Sequence, residues 1–142
     1  MSNRLTGGQA AIAALQNEKT SHVFGLIGSA TMEMFDALYD AKDIQFIGVH
    51  DERTGTHMAD GFARASGKSG VILAGQNGPG ATNLVTGLAQ AKAAFSPVIS
   101  LAGALATSHH YKDGFQEVDQ EALFRPVTKK TWNVPSTARV QE

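Results

Sequence analysis

A three-layer α/β domain, a mainly parallel sheet with helices on both faces, is predicted by three observations. Short apolar segments alternate along the chain with helix-length segments, the pattern of βαβ units. Most of the apolar segments lack regular polar alternation, as expected of strands covered on both faces. The 142 residues contain no internal repeat and no low-complexity linker, and that length suits one domain with a real core.

Thr6 is placed to cap a helix running to about Asn17, with Ala11, Ile12, Ala14 and Leu15 on one side. "HVFGLIG" (22–28) reads as a buried strand ending in glycine, and "SATMEMFDALYDA" (29–41) as a helix begun by Ser29. "IQFIGV" (44–49) is the next strand and "ERTGTHMADGFARAS" (52–66) the next helix. Strand "GVILAG" (70–75), loop "QNGPG" (76–80) and helix "ATNLVTGLAQAKAAF" (81–95) follow. Strand "PVISLAG" (97–103) leads into a long polar loop, 104–118, a short helical piece near 119–124 and a possible strand "VTKKTWNV" (127–134). Residues 1–134 are thus expected to form the domain, and 135–142, with Pro135 and a possible cap at Ser136, to begin a further helix. A pattern that stops on a freshly capped turn suggests a fragment of a longer chain, or a subunit whose partner carries the rest.

Composition narrows the function classes. With 42% hydrophobic and 18% charged residues the chain is globular. A net charge of −1 makes no electrostatic case for nucleic acid or an anionic membrane. The absence of cysteine excludes a disulfide framework, a thiolate metal site and a cysteine nucleophile. "MSNRLTGGQAAIAAL" lacks a cleavable signal pattern and no apolar run is long enough to span a bilayer, so a cytoplasmic protein is expected.

Two nucleotide-binding patterns fail on inspection. In "GFARASGKSG" (61–70) five residues separate Gly61 from Gly67, where a phosphate loop has four, and the segment ends a helix instead of opening one. Gly67 reads as a helix C-cap. "GLIGSA" (25–30) has a strand–turn–helix setting but not the dinucleotide spacing; it leaves a tight turn whose N–H groups could face a ligand. The histidines, including His57 and the His109-His110 pair, have no ligand partners at metal spacing, and no metal site is assigned.

Other segments carry more. "FIGVHDERTG" (46–55) runs an apolar strand into a charged cluster at a helix start, where open α/β sheets keep their ligands. Glu52 is either a working carboxylate there or a first-turn acid that suits the helix dipole. In "GQNGPGATN" (75–83), Pro79 fixes φ, and Gly78 and Gly80 give bare backbone on which a flat ligand could lie, with Asn83 in the first turns of the helix. In a parallel sheet this loop shares an edge with Glu52. "DGFQEVDQEALF" (113–124) places Phe115, Gln116 and Glu117 in the last long loop, a common seat of function or a solvated connection.

The order of these segments, with "HMADGFARASGK", "NGPGATNLVTGLAQA" and "GFQEVDQEALFRPVTK", resembles the N-terminal, pyrimidine-binding domain of thiamine diphosphate enzymes, most closely the acetolactate synthase-like group, from about Thr6 to Val134. The resemblance implies that Glu52 hydrogen-bonds N1′ of the cofactor's aminopyrimidine. That contact favours the imino tautomer, whose 4′-nitrogen takes the C2 proton of the thiazolium. It implies that Gly78, Pro79, Gly80 and Asn83 meet the pyrimidine end, that Gly28 and Ser29 line the pocket, and that Phe115 and Gln116 lie on the substrate side. The implied substrate is a 2-oxo acid or an aldehyde, and the implied enzyme is a carboligase or decarboxylase, a transferase or lyase.

Two departures bear on the substrate. Asp51 stands where acetolactate synthases usually have histidine, and Gln76-Asn77 replaces their common Thr-Ser. "QNGPG" with "GFQEV" also looks like sulfoacetaldehyde acetyltransferases. A pyrimidine-domain subunit of a two-subunit decarboxylase is a further alternative. In the family, Mg²⁺ and the diphosphate are held by a G-D-G motif and an asparagine of a separate C-terminal domain, and some members also bind FAD. Asp60-Gly61 and Asp113-Gly114 do not supply that motif, so the chain by itself is expected to be inactive. A homodimer or tetramer is implied, with the small-residue helices after Glu52 and Gly80 expected at its main interface, and Leu88 either on that contact face or in the domain's own core.

Overall fold

The computed structural model describes residues 4–141. Residues 1–3 and 142, the outer ends of the expected 1–134 and 135–142 spans, lie outside them. Strands β1 (His22–Gly25), β2 (Gln45–Gly48), β3 (Gly70–Ala74) and β4 (Val98–Ala102) form one wholly parallel sheet in the order β2-β1-β3-β4. Each parallel step is made by a helix: α2 (Met32–Asp40), α3 (Glu52–Ser66) and α4 (Pro79–Ala93), with α1 (Gly7–Asn17) before the sheet and α5 (Gln120–Phe124) after it.

Side-chain alternation along the strands sorts the core into two halves. Val23, Val71 and Leu73 face Ile12 and Leu15 of α1 and Phe35 and Leu38 of α2. Phe24, Ile72 and Ala74 face Ala59 of α3, Leu84 and Leu88 of α4 and Phe124 of α5. The three-layer architecture follows from this division. Central strand β3 is buried along its whole length, which is why it reads as an uninterrupted apolar run.

Local chemistry sets the helix ends. Thr6 closes a capping box on α1, accepting from the Gln9 backbone N at 3.2 Å while the Gln9 side chain accepts from the Thr6 N at 2.9 Å. Gly67 ends α3 in the left-handed region, at φ 69°. Pro79 begins α4 in its first turn, two residues earlier than expected, since a missing N–H costs nothing there. Ser29 does not start α2. A single 3₁₀ turn, Ser29–Thr31, comes first, because Ala30 N donates to Gly75 O at 3.1 Å and Thr31 Oγ1 to Ala74 O at 3.0 Å, tying this turn to the end of β3.

One expectation is corrected, and one open alternative is decided. Residues 127–134 form no strand: the chain leaves α5 through turns held by Val127 N to Phe124 O and Thr128 Oγ1 to Phe124 O. Residues 137–139 make one 3₁₀ turn. Of the two alternatives for Leu88 the core is the one observed: it is 5% exposed within the core half that contains Leu84 and Phe124. The small residues that suggested an intersubunit face, Gly55, Ala59 and Ala63 of α3 and Ala81, Gly87 and Ala91 of α4, are buried within the chain itself.

Asp60 is a buried charge in this helical layer. Asp60 accepts from Arg64 Nε at 2.9 Å and Nη2 at 2.8 Å, one turn along α3, and from Gln90 Nε2 of α4 at 3.4 Å. The Arg64 guanidinium holds the Asp60 carboxyl below its ordinary value of 3.8, against the opposing effect of burial. A carboxylate lowered in the folded state contributes stability that is fully present above its unfolded value and is lost as pH falls through the folded one. Asp60→Asn is therefore expected to flatten the acid limb of stability. Urea midpoints at about pH 6 and about pH 3 should differ less for the variant than for the wild type, and equal differences would refute the assignment.

Candidate functional site

Every candidate residue lies beyond the carboxyl ends of the strands, because each follows a strand of one parallel sheet. Asp51 caps α3, its Oδ1 accepting from Arg53 N at 2.7 Å. Glu52 is thereby set at the first helical position with its side chain turned inward, 4% exposed. Its Oε2 accepts from Asn83 Nδ2 of α4 at 3.1 Å. No donor among the described residues is recorded on Oε1. Bare backbone approaches that oxygen instead: a Cβ at Gly80 would lie 3.0 Å from it and 3.2 Å from the Gln76 Cβ.

This contact is the first rung of a seam. Helices α3 and α4 both run away from the same edge of the sheet, and Glu52 meets Asn83. One turn later a Cβ at Gly87 would lie 2.5 Å from the Thr56 Cβ, and in the next turn Gln90 reaches Asp60. Thr56 Oγ1 also donates back to the Glu52 carbonyl at 2.7 Å. Four-residue steps on α3 against four- and three-residue steps on α4 keep both rows on the facing sides. The Glu52–Asn83 geometry is thus set by the packing of two whole helices.

The loop after β3 forms the floor. Gly78 adopts φ 50°, a conformation that favours glycine, and its α-carbon lies against the Gln116 carbonyl, leaving no room for a side chain. Asn77 is buried and its Nδ2 donates to the carbonyls of Phe115 at 2.9 Å and Gln116 at 3.1 Å, sewing the late loop onto the early one. Gln116 itself has φ 58°. Gln76 Nε2 donates to Gln116 Oε1 at 3.0 Å, and Ser29 Oγ donates to Gln76 Oε1 at 2.8 Å. Gly28 packs directly on the Gly75 backbone.

Glu117 braces the other side of the late loop. Its carboxylate accepts from the backbone N of Tyr111 at 2.7 Å and of Gly114 at 3.1 Å, and these bonds hold it below the usual carboxylate range. Tyr111 and Asp113 take positive φ within the segment so closed.

Of the residues singled out in the sequence, Glu52, Gly80 and Asn83 meet one another, and Gly78, Ser29 and Gln116 join through Gln76 and the loop backbone. Pro79 is exposed at the start of α4. The Phe115 side chain is not drawn into the cluster; it is 75% exposed, and its backbone carbonyl makes the attachment. Gln76, Asn77, Asp51 and Glu117 hold these positions and were not among the candidate site residues. For Gln76 and Asn77 the available signal was two amide side chains preceding a glycine-proline-glycine turn. Among the described residues no three His, Asp or Glu side chains converge as a metal site, and no helix is long and apolar enough to cross a membrane.

The chain is thus a parallel α/β domain with a buried glutamate at one helix start, met by glycine backbone and an asparagine from the next. Residues 5–123 match the family described as the thiamine pyrophosphate enzyme, N-terminal TPP binding domain, and the chain belongs to that family. Over 97% of its length it is 44% identical to a Methanocaldococcus jannaschii protein named "Probable acetolactate synthase large subunit" and 38% identical to the Escherichia coli acetolactate synthase isozyme 3 large subunit. It is 40% identical over 91% of its length to the mitochondrial acetolactate synthase catalytic subunit of Aspergillus candidus. The chain spans only 23%, 24% and 18% of these three relatives, respectively.

Proposed function

We propose that this domain holds the aminopyrimidine half of thiamine diphosphate and activates it through Glu52, as part of an acetolactate synthase-type carboligase or decarboxylase of 2-oxo acids. The observation that carries the reading is Glu52 Oε1, a buried carboxylate oxygen that no donor among the described residues meets, facing glycine backbone. Burying such an acceptor unpaired is costly, so a ligand donor is its natural partner. A pyrimidine N1′–H offers that donor on a flat ring that bare glycine backbone can approach. When bound, the cofactor supplies a thiazolium electron sink for a bond to the substrate's carbonyl carbon.

The chain's own residues do the rest. Glu52 holds the proton shared with N1′, and Asn83 restrains the other carboxylate oxygen so that Oε1 keeps its direction. Gly78 and Gly80 keep the ring's path free of side chains, with Pro79 making their turn rigid. Gly28 and Ser29 line the pocket from the β1 side. Gln116, and Phe115 beside it, face the substrate. Mg²⁺ and the diphosphate belong on a separate domain, so residues 1–142 alone are inactive; FAD is a further cofactor that such enzymes can carry. The complete enzyme is a cytoplasmic homodimer or tetramer acting on a small molecule, with residues 135–142 leading out of the domain.

A second reading, an acyltransferase acting on sulfoacetaldehyde, is favoured by Gln76 and Gln116, whose side chains touch and whose segments carry that resemblance. Both readings need the same cofactor activation. The test is exchange of the C2 proton of bound thiamine diphosphate in the complete enzyme, wild type against Glu52→Gln.

A further inference from the structure

Three side chains from three different loops form one directed chain of hydrogen bonds: Ser29 Oγ to Gln76 Oε1 at 2.8 Å, then Gln76 Nε2 to Gln116 Oε1 at 3.0 Å. Each link spends a particular atom. With Gln76 Oε1 taken by the serine hydroxyl, the Gln76 amide must turn its NH₂ toward Gln116. With Gln116 Oε1 taken by that NH₂, Gln116 is left with Nε2, for which no acceptor among the described residues is recorded. The backbone beneath is equally constrained. Gln116 sits at φ 58°, its carbonyl is pinned by Asn77 Nδ2 at 3.1 Å, and Gly78 packs against it. Backbone and amide oxygen are both held, so the Gln116 Nε2 is fixed in position as a donor. Its N–H bonds suit an acceptor oxygen, best an anionic one.

We propose that Gln76 is a positioning residue: it acts through Gln116, presenting the Gln116 Nε2 as a fixed donor to a carboxylate or sulfonate oxygen of the substrate. This rests on the placement of Gln116 on the substrate side under the reading above. Gln76 does not serve Glu52, with which it makes no hydrogen bond, so substrate binding and cofactor activation are separable. Asn77, the other amide of the turn, holds the loop through backbone carbonyls and leaves the Gln116 side chain to Gln76.

The experiment is a double-mutant cycle in the complete enzyme with Gln76→Met, Gln116→Met and the pair, assayed with pyruvate and, in a parallel arm, with sulfoacetaldehyde. Gln76→Met keeps the length of the side chain and removes both bonds. The KM for whichever anion is turned over should rise about fivefold or more, with the C2 exchange rate of the bound cofactor within about twofold of wild type. Adding Gln76→Met to Gln116→Met should change KM no further. In a crystal structure of the Gln76→Met enzyme the Gln116 amide should be rotated or spread over several orientations. An unchanged KM, an effect that persists in the Gln116→Met background, or a Gln116 amide that keeps its orientation would each overturn the proposal. Failure of the underlying reading shows separately, as C2 exchange that survives Glu52→Gln.

Discussion

Glu52→Gln in the complete enzyme is expected to slow C2 proton exchange of bound thiamine diphosphate by about 10²–10⁴-fold, the range that a positioned acid–base group contributes. The substitution is a narrow one. Glutamine has the same shape, and its carbonyl can still accept from Asn83 Nδ2, the bond that holds Glu52 at 3.1 Å. What disappears is the negative charge that lets Oε1 hold a proton at N1′. Because the carboxylate is buried and one of its oxygens meets no donor among the described residues, neutralising it removes a desolvated charge from the fold. The melting temperature should therefore stay equal or rise, the usual sign of a residue kept for activity at some cost in stability. Deuterium exchange followed by NMR after acid quench reads the first quantity, and circular dichroism the second. Exchange within tenfold of wild type, in a protein that binds the cofactor, would mean that Glu52 is only a first-turn acid.

Gly87→Ala is expected to destabilise the protein by about 1–3 kcal/mol, the range for an extra methyl forced into a packed contact. The added carbon would sit 2.5 Å from the Thr56 Cβ and 2.6 Å from its Cγ2, so α3 and α4 must move apart. Asn83 is one turn before Gly87 and Glu52 one turn before Thr56, so the same displacement lengthens the bond between them. Gly87→Ala should consequently slow C2 exchange although residue 87 touches no ligand. Thr56→Gly makes room on the opposite helix. By itself it should destabilise too, since it loses the hydroxyl bond to the Glu52 carbonyl and places glycine inside a helix at a cost of about 1 kcal/mol. The double variant should be more stable than the sum of the two single losses by about 0.5–3 kcal/mol. Strictly additive losses in urea unfolding would show that the helices do not meet at this pair.

Much of the fold was legible because periodicity is a local property. The apolar runs around Val23, Phe46, Val71 and Val98 became strands, and the segments between them became crossover helices, since a chain with this alternation can bury both faces of a sheet in few ways. The errors came where long-range contacts won. Ser29 has the chemistry of a helix cap, but its hydroxyl goes to Gln76, 47 residues away. "VTKKTWNV" has β-branched residues but makes no strand ladder, and β propensity counts only when a neighbouring strand accepts the pairing. From the sequence Leu88 stays open between the core and a contact face, because a helical pattern alone does not say which apolar residues face the chain's own sheet.

The sequence by itself determined that residues at strand ends would share one edge, because parallel strands point their carboxyl ends the same way. The order of strands and helices placed a glutamate and a glycine-proline-glycine turn there, and the resemblance to a known family added a glutamine-bearing loop. Only the tertiary structure decided which of these touch. Glu52 and Asn83 are 31 residues apart, and Gln76 and Gln116 are 40 apart. Whether each pair falls within a hydrogen bond is settled by tenths of an ångström at the Gly87–Thr56 crossing and by the positive φ of Gly78 and Gln116. Such distances come from how whole helices and loops pack on a sheet, and no local pattern of residues encodes them.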